Sequence, residues 1–290
     1  MKCFYHNDMD GKCAGAIVYK FYKRDRDFTK ETGQECEFIP INYKDEFPFD
    51  KIRPNETIII VDFSLQKLGE FERLMKITDS IIWIDHHKTA IEKYDNLNLA
   101  GMRRDGIAGC VLTWAFFYPG TITPPVVKLL GDYDIWAFVY GDDIKYLQSG
   151  IRLYDTKPES QNWEKWLDRS YYPEEEISKG KIAIQYRDNY YAELIKSWAF
   201  WTEFEGYKAI ACNAGSVSSQ LFDTVTEDYD IMMPFVFDGK QWTISLYTKK
   251  PEIDVSEIAK KYGGGGHKGA AGFQCKELPF FKISKSYKSI

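Results

Sequence analysis

The chain has 290 residues, 44% of them hydrophobic and 28% charged, the balance of a soluble globular protein with room for one large domain or two ordinary ones. No apolar run approaches bilayer-spanning length, and the first residues, MKCFYHNDMDG, lack the apolar stretch of a secretory signal, so a cytoplasmic protein with no membrane partner is expected. The net charge of −5 argues against binding long duplex nucleic acid, which takes many Lys and Arg contacts, and favours a short nucleotide if a nucleotide is the substrate.

The N-terminal half alternates strand and helix patterns. Lys2–Tyr5 reads as a short strand, followed by a loop and a helical stretch over Cys13–Tyr22. Thr57–Val61 (TIIIV) is apolar without alternation, Leu65–Met75 has helical spacing, and Ser80–Ile84 (SIIWI) is a second continuous apolar run. Strands apolar at nearly every position are covered on both faces, which predicts a mostly parallel sheet between helices. Asn162–Phe204 carries helical spacing rich in Glu, Lys, Tyr and Trp, punctuated upstream by Pro158 and internally by Pro173.

The character then changes. Tyr207–Cys212 reads as a strand and Ser216–Asp223 as a helix, while Ile231–Phe237 and Gln241–Tyr247 form a hairpin closed at Asp238-Gly239. Asp254 with Glu257 three residues on is a capping-box pattern, and Gly263 ends that helix. The fold class is α/β in three parts: 1–155 with a mostly parallel sheet and helices on both faces, a helical linker over 156–205, and a smaller α/β domain over 206–290. The six cysteines (Cys3, Cys13, Cys36, Cys110, Cys212, Cys275) include no C-x-x-C pair, which excludes a zinc ribbon or disulfide framework and leaves reduced thiols, mostly in the core.

Four stretches concentrate the chemistry: His6-Asn7-Asp8-Met9-Asp10-Gly11, Asp62 in IIIVDFS, Asp85-His86-His87, and Asp132/Asp134 in LLGDYDIW. All four are expected directly after strands, and the first three follow the apolar runs themselves. In an open parallel sheet, ligands gather beyond the carboxyl ends of the strands, so His6, Asp8, Asp10, Asp62 and the Asp-His-His run should converge there. Several carboxylates in one pocket repel, and burying even one unpaired is costly. Two divalent cations about 3.5–4 Å apart would neutralise them and clamp an in-line phosphoryl displacement. Carboxylates and imidazoles without thiolate suit Mn²⁺, with Mg²⁺, Fe²⁺ and Zn²⁺ as alternatives.

Each piece has a bland alternative. An aspartate after a strand is ordinarily a helix N-cap, and H-x-D-x-D is common in turns. The chain has only four histidines, however, and three lie in these stretches, which structure alone does not explain. The fourth, His267, follows Gly263–Gly266 in GGGGHKGAAGF. Glycines there permit close approach of backbone N–H groups to an anion, with His267 and Lys268 adding donors; the alternative is a helix C-cap and a flexible loop.

Taken together, HNDMDG, VDFS, IDHH, GDYDIW and GGGGHKGAAGF resemble, in order and approximate spacing, the motifs of the DHH/DHHA1 phosphoesterases, over nearly the whole chain. The resemblance implies a manganese-dependent phosphodiesterase with a C-terminal mixed-sheet domain. It implies that His6, Asp8 and Asp62 hold one Mn²⁺, and that Asp10, Asp62, His86 and either Asp134 or Asp132 hold the other, Asp62 bridging; Asp134 is favoured. It also implies that Asp62, Asp85, His86 and His87 form the catalytic set, with His87 either beside the scissile phosphate or one layer behind the metal ligands. Gly264, Gly265, Gly266, His267 and Lys268 grip the substrate from the smaller domain, across a cleft. The expected reaction is hydrolysis of short oligonucleotides, nanoRNA and dinucleotides such as pApA, to nucleoside monophosphates by a water that the two metals activate. A cyclic-dinucleotide phosphodiesterase is the nearest alternative, and a nucleotide-binding regulator built on an inactive enzyme a more distant one.

Overall fold

The computed structural model describes residues 1–25, 27–33 and 35–280, so the last ten residues of the expected third part lie outside the described residues. The chain divides into two compact units, Met1–Ile184 and Gln185–Ile290. Among the described residues, no helix is long and apolar enough to cross a membrane.

The first unit opens with strand β1 (Lys2–His6), helix α1 (Met9–Tyr19) continuing into a π-helical stretch at Lys20–Asp25, and α2 (Phe28–Thr32). Then follow β2 (Glu37–Ile41), β3 (Ile58–Val61), α3 (Glu70–Met75), β4 (Ile81–Ile84) and α4 (Lys88–Lys93). Helices α5 (Gly109–Phe117), α6 (Pro125–Asp134), α7 (Asp143–Gly150) and α8 (Asn162–Trp166) complete it, and α9 (Glu174–Trp198) runs across the division. The sheet has the order β2-β1-β3-β4 with all pairs parallel.

The unbroken apolar runs are explained by two cores. Cys3, Tyr5, Ile59, Val61 and Ile84 pack with α1, α5 and α6 on one face. Phe4, Ile58, Ile60, Ile81 and Trp83 pack with Phe71 and Leu74 of α3 on the other. Successive residues of each strand thus alternate between two buried faces, and each fully buried large side chain contributes about 1.5–3 kcal/mol.

Several expectations shift. Helix α1 starts at Met9 rather than Cys13, which places Asp10 in a helical first turn instead of a loop. The helical spacing at Leu65–Met75 yields helix only over Glu70–Met75, because Leu65 is buried in the second core as part of the crossing loop. GDYDIW does not follow a strand: Asp132 and Asp134 lie in the last turn of α6, whose apolar residues Val126, Val127, Leu129 and Leu130 belong to the first core, where α6 packs against α1, α5 and α7.

The second unit is a six-stranded mixed sheet, formed by β5 (Ala199–Phe204), β6 (Tyr207–Asn213), β7 (Ile231–Phe237), β8 (Trp242–Tyr247), β9 (Gly265–His267) and β10 (Ala270–Cys275), with α10 (Val255–Lys261). Its order is β5-β6-β7-β8-β10-β9, and only β6 and β7 pair in parallel. The expected hairpin forms, with Asp238 accepting from the backbone of Lys240 and Gln241 at the turn. Two corrections apply. Residues 199–204, expected to be helical, form β5, because Trp201 and Phe204 are buried on opposite faces of the sheet. Ser216–Asp223 gives only a 3₁₀ turn at Ser219–Phe222.

Candidate metal centre

Register decides which side chains meet. Tyr5 pairs with Val61, and Val61 with Ile84, so His6, Asp62 and Asp85 leave the sheet as one row at its carboxyl edge. The chain turns from β1 into α1 through Asp8, whose Oδ1 accepts from the Gly11 backbone at 2.9 Å and caps the helix. The free oxygen Oδ2 lies 2.8 Å from His6 Nδ1. Asp8 thus caps the helix with one oxygen and leaves the other for the site.

Asp10 is 3% exposed and is held from far along the chain: its carboxylate accepts from the backbone of Gly109 at 2.7 Å and Cys110 at 3.0 Å. These are N–H groups of the first turn of α5, where positive dipole density favours a carboxylate. Gly109 makes the approach possible, since a Cβ there would lie 2.7 Å from Asp62 Cβ and 2.9 Å from Asp10 Oδ2.

Asp62 is the centre of the cluster. It is 1% exposed, sits in the left-handed region at φ 54°, and neither carboxylate oxygen has a hydrogen-bond partner. A non-glycine residue in that conformation is uncommon, though aspartate tolerates it best, and an unpaired buried carboxylate is costly. Oδ1 lies 3.2 Å from His86 Nε2, and Oδ2 lies 3.7 Å from His6 Nδ1. On its other side His86 Nε2 is 3.3 Å from Asp134 Oδ2.

Two donor sets result, His6/Asp8/Asp62 and Asp10/His86/Asp134, each with its ligand atoms within 4.8 Å of one another; Asp62, His86 and His87 form a third such group. Asp132, the alternative to Asp134, is not in any of them. It is 6% exposed, and its carboxylate accepts from the backbone of Val139 at 3.1 Å and Tyr140 at 3.0 Å.

Asp85 serves the adjacent histidines. Its Oδ1 accepts from the backbone of His86 at 2.8 Å and from His87 Nδ1 at 2.7 Å, while Oδ2 is buried without a partner. With Nδ1 so engaged, Nε2 of His87 is left for other contacts. The hydroxyl of Tyr43 lies 2.9 Å from it, and the Tyr43 ring stacks on Phe63 with centroids 5.2 Å apart. Sequence reasoning missed both Tyr43 and Gly109. Tyr43 reaches the site because β2 pairs with β1, His6 opposite Ile41.

The electrostatics are those of a site short of positive charge. Among the described residues, the ion-pair partners of these carboxylates are histidines. Burial pushes Asp10 and Asp62 well above the usual carboxylate range, neighbouring carboxylates adding to it. Burial and then the charge of Asp10 lift Asp134 to about 7. Burial opposes the charge on His6, but Asp62 and Asp8 outweigh it and raise this histidine to about 10. His87 is raised in the same way, Asp85 outweighing burial. The orphaned atoms (His6 Nδ1, both oxygens of Asp62, Oδ2 of Asp85) and a donor set of hard oxygens and imidazoles fit divalent cations in place of these protons.

The glycine-rich segment lies in the second unit and is ordered by hairpin packing. Gly265–His267 pair antiparallel with Ala270–Gly272. The Gly264 amide, expected to face an anion, instead donates to Ala259 O at 2.9 Å, and a Cβ on Gly264 would lie 2.1 Å from Gly272 O. His267 and Lys268 are exposed.

Residues 3–133 match the sequence profile of the DHH family, N-terminal domain. The uncharacterized protein R106 of Acanthamoeba polyphaga mimivirus is 25% identical over 306 residues, covering 96% of this chain and 69% of that protein. Among solved structures, the chain is similar to the pGpG-specific phosphodiesterase PggH from Vibrio cholerae, with 13% identity, a TM-score of 0.50, and 95% of this chain and 92% of that one covered. It is also similar to the DHH domain of a member of the S1p family of ribosomal proteins, with 12% identity, a TM-score of 0.54, and 93% and 81% covered. At these identities the likeness to the two structures is one of fold.

Proposed function

Through residues 3–133 the chain belongs to the DHH family, and we propose that it is a metal-dependent phosphodiesterase hydrolysing short oligonucleotides and linear dinucleotides to nucleoside monophosphates. The observation that carries this reading is Asp62, buried with both oxygens unpartnered between two donor sets. A fold gains nothing in stability from such a residue; a pair of cations explains it. His6, Asp8 and Asp62 would hold one ion and Asp10, Asp62, His86 and Asp134 the other, with Mn²⁺ best matched to the donors. When bound, the pair supplies an acidified water and positive charge for the phosphoryl oxygens.

The chain's own groups do the rest. Asp85 fixes the ring of His87 and raises its affinity for a proton, so that the ring lends a donor to the scissile phosphate or its leaving oxygen. Asp10 is locked on the first turn of α5, which presets the second donor set and avoids reorganisation during reaction. In the second unit, the exposed His267 and Lys268 supply donors and charge for a phosphate. The Vibrio cholerae protein of similar fold is a pGpG-specific phosphodiesterase, which favours a linear dinucleotide among the short substrates.

The test is a substrate panel with Mn²⁺, with Mg²⁺ and after chelation: short RNA, short DNA, pApA, pGpG, cyclic dinucleotides and a 3′-phosphoadenosine monoester. The highest kcat/KM is expected for the linear dinucleotides and short RNA, with turnover abolished by chelation. A metal-loaded protein that cleaves no phosphodiester, or one that prefers the monoester, overturns the reading.

A further inference from the structure

The loop that leaves α6 immediately after Asp134 is built against its own backbone preferences. Trp136 and Phe138 both adopt the left-handed region, at φ 57° and 55°, a conformation that bulky side chains avoid and that persists only where the surroundings impose it. What imposes it is Asp132. Its carbonyl accepts from Ala137 at 3.1 Å, and its buried carboxylate accepts from Val139 and Tyr140. A buried acid is thus committed to holding this loop in a costly shape.

The shape presents an aromatic ring. Tyr133 and Phe138 meet the Trp136 ring nearly at right angles, with centroids 5.3 Å and 4.6 Å away. The two rings brace the indole while leaving Trp136 63% exposed. Packing would have drawn a tryptophan inward, so both the strain and the exposure act against stability. Trp136 stands two residues beyond Asp134, which belongs to the second donor set.

We propose that Trp136 is a stacking platform for a nucleobase of the substrate, with Asp132 as the positioning residue that holds the platform beside the metal centre. The inference rests on the phosphodiesterase reading above and deepens it: the substrate must carry a base on a nucleotide next to the scissile phosphate. Stacking on an aromatic side chain tolerates any base, so the platform selects nucleotides over other phosphodiesters without choosing among sequences.

The experiment compares wild type, Trp136→Ala and Trp136→Phe on a linear dinucleotide and on its two abasic analogues, each lacking one base. Stacking energies correspond to roughly tenfold or more in binding. Trp136→Ala should therefore raise KM for the dinucleotide about tenfold, with kcat within about threefold, and Trp136→Phe should recover most of the loss. One abasic analogue should be impaired already in wild type and indifferent to Trp136→Ala. An equal loss on all three substrates, or a fall in kcat at constant KM, overturns the proposal and makes the ring a prop for Asp134. A second readout needs no turnover. Titration with GMP in the presence of Mn²⁺ should quench tryptophan fluorescence in wild type and much less in Trp136→Phe. If no phosphodiester is cleaved but this difference persists, the hydrolase reading fails and the platform stands; identical quenching in the two proteins removes the platform.

Discussion

The carboxyl edge of the parallel sheet and the glycine-rich turn of the second unit were both marked by sequence motifs, yet they are built by opposite rules. At the sheet edge, side chains sit where stability would forbid them: Asp62 is buried and unpartnered at positive φ, and Asp10 and Asp85 are buried beside it. At the glycine turn, the backbone is satisfied locally, with Gly264 bonded to the end of α10 and the next three residues paired to β10. Violated packing rules point to function, whereas glycines that a hairpin explains do not. In the second unit the exposed His267 and Lys268 have no such local explanation, which makes them the side chains to test there.

The largest expected effect separates the two regions outright. Asp62→Ala removes a ligand of the His6/Asp8/Asp62 set, one that also lies against His86 of the other, so metal content should fall and activity drop by about 10³-fold or more, the scale of losing electrostatic stabilisation at a reacting centre. In the metal-free state the same variant should lose little stability, because the buried carboxylate it removes makes no hydrogen bond and has only histidines 3.2 and 3.7 Å away to offset its burial. Elemental analysis, kinetics and thermal melts with chelator check the three parts. Near wild-type turnover in this variant sinks the metal assignment.

A smaller and differently shaped effect is expected in the second unit. His267→Ala should raise KM on the order of tenfold, the cost of one charge-assisted hydrogen bond to phosphate, with metal content unchanged. If that variant loses metal instead, the division of labour between the two regions is wrong.

How much of this could be read in advance depended on range. The runs IIIV and IIWI, apolar at every position, gave a sheet covered on both faces, and with it the row of His6, Asp62 and Asp85. The strand β2 escaped notice because its sequence, EFIPI, carries Glu37 and Pro40 and only Ile41 is buried, as suits an edge strand. Tyr43 was lost with it. Gly109 carries no local signal, since its need arises from Asp10 and Asp62, 99 and 47 positions away. Helix α5, apolar around its circumference, shows no amphipathic stripe to find. The choice between Asp132 and Asp134 was equally closed to sequence, because it depends on where the chain turns after α6 and which backbone amides then need an acceptor.

The subtlest expected effect is on pH, and it again sets the two regions apart. In the metal-free protein, Asp134 is raised to about 7 and His6 to about 10, with Asp10 and Asp62 also raised. Every one of these shifts lies above the unfolded value, so the folded site holds protons more tightly than the unfolded chain does. Their contribution to stability is present at low pH and is lost as pH rises, first through about 7 as Asp134 ionises. Divalent cations compete for the same atoms and favour the deprotonated site. The rise in Tm on adding Mn²⁺ should therefore grow from pH 6 to pH 8, by about 1.4 kcal/mol per pH unit for each proton displaced, or on the order of 2–4 °C per kcal/mol for a chain of this size. Melts with Mn²⁺ and with chelator at pH 6, 7 and 8 measure the difference directly. His267→Ala should show the same growth as wild type, and Asp62→Ala should show little of it. A cation-induced gain that stays constant across this range would mean that no proton leaves when metal enters, and the carboxylate cluster would then not be where the metal binds.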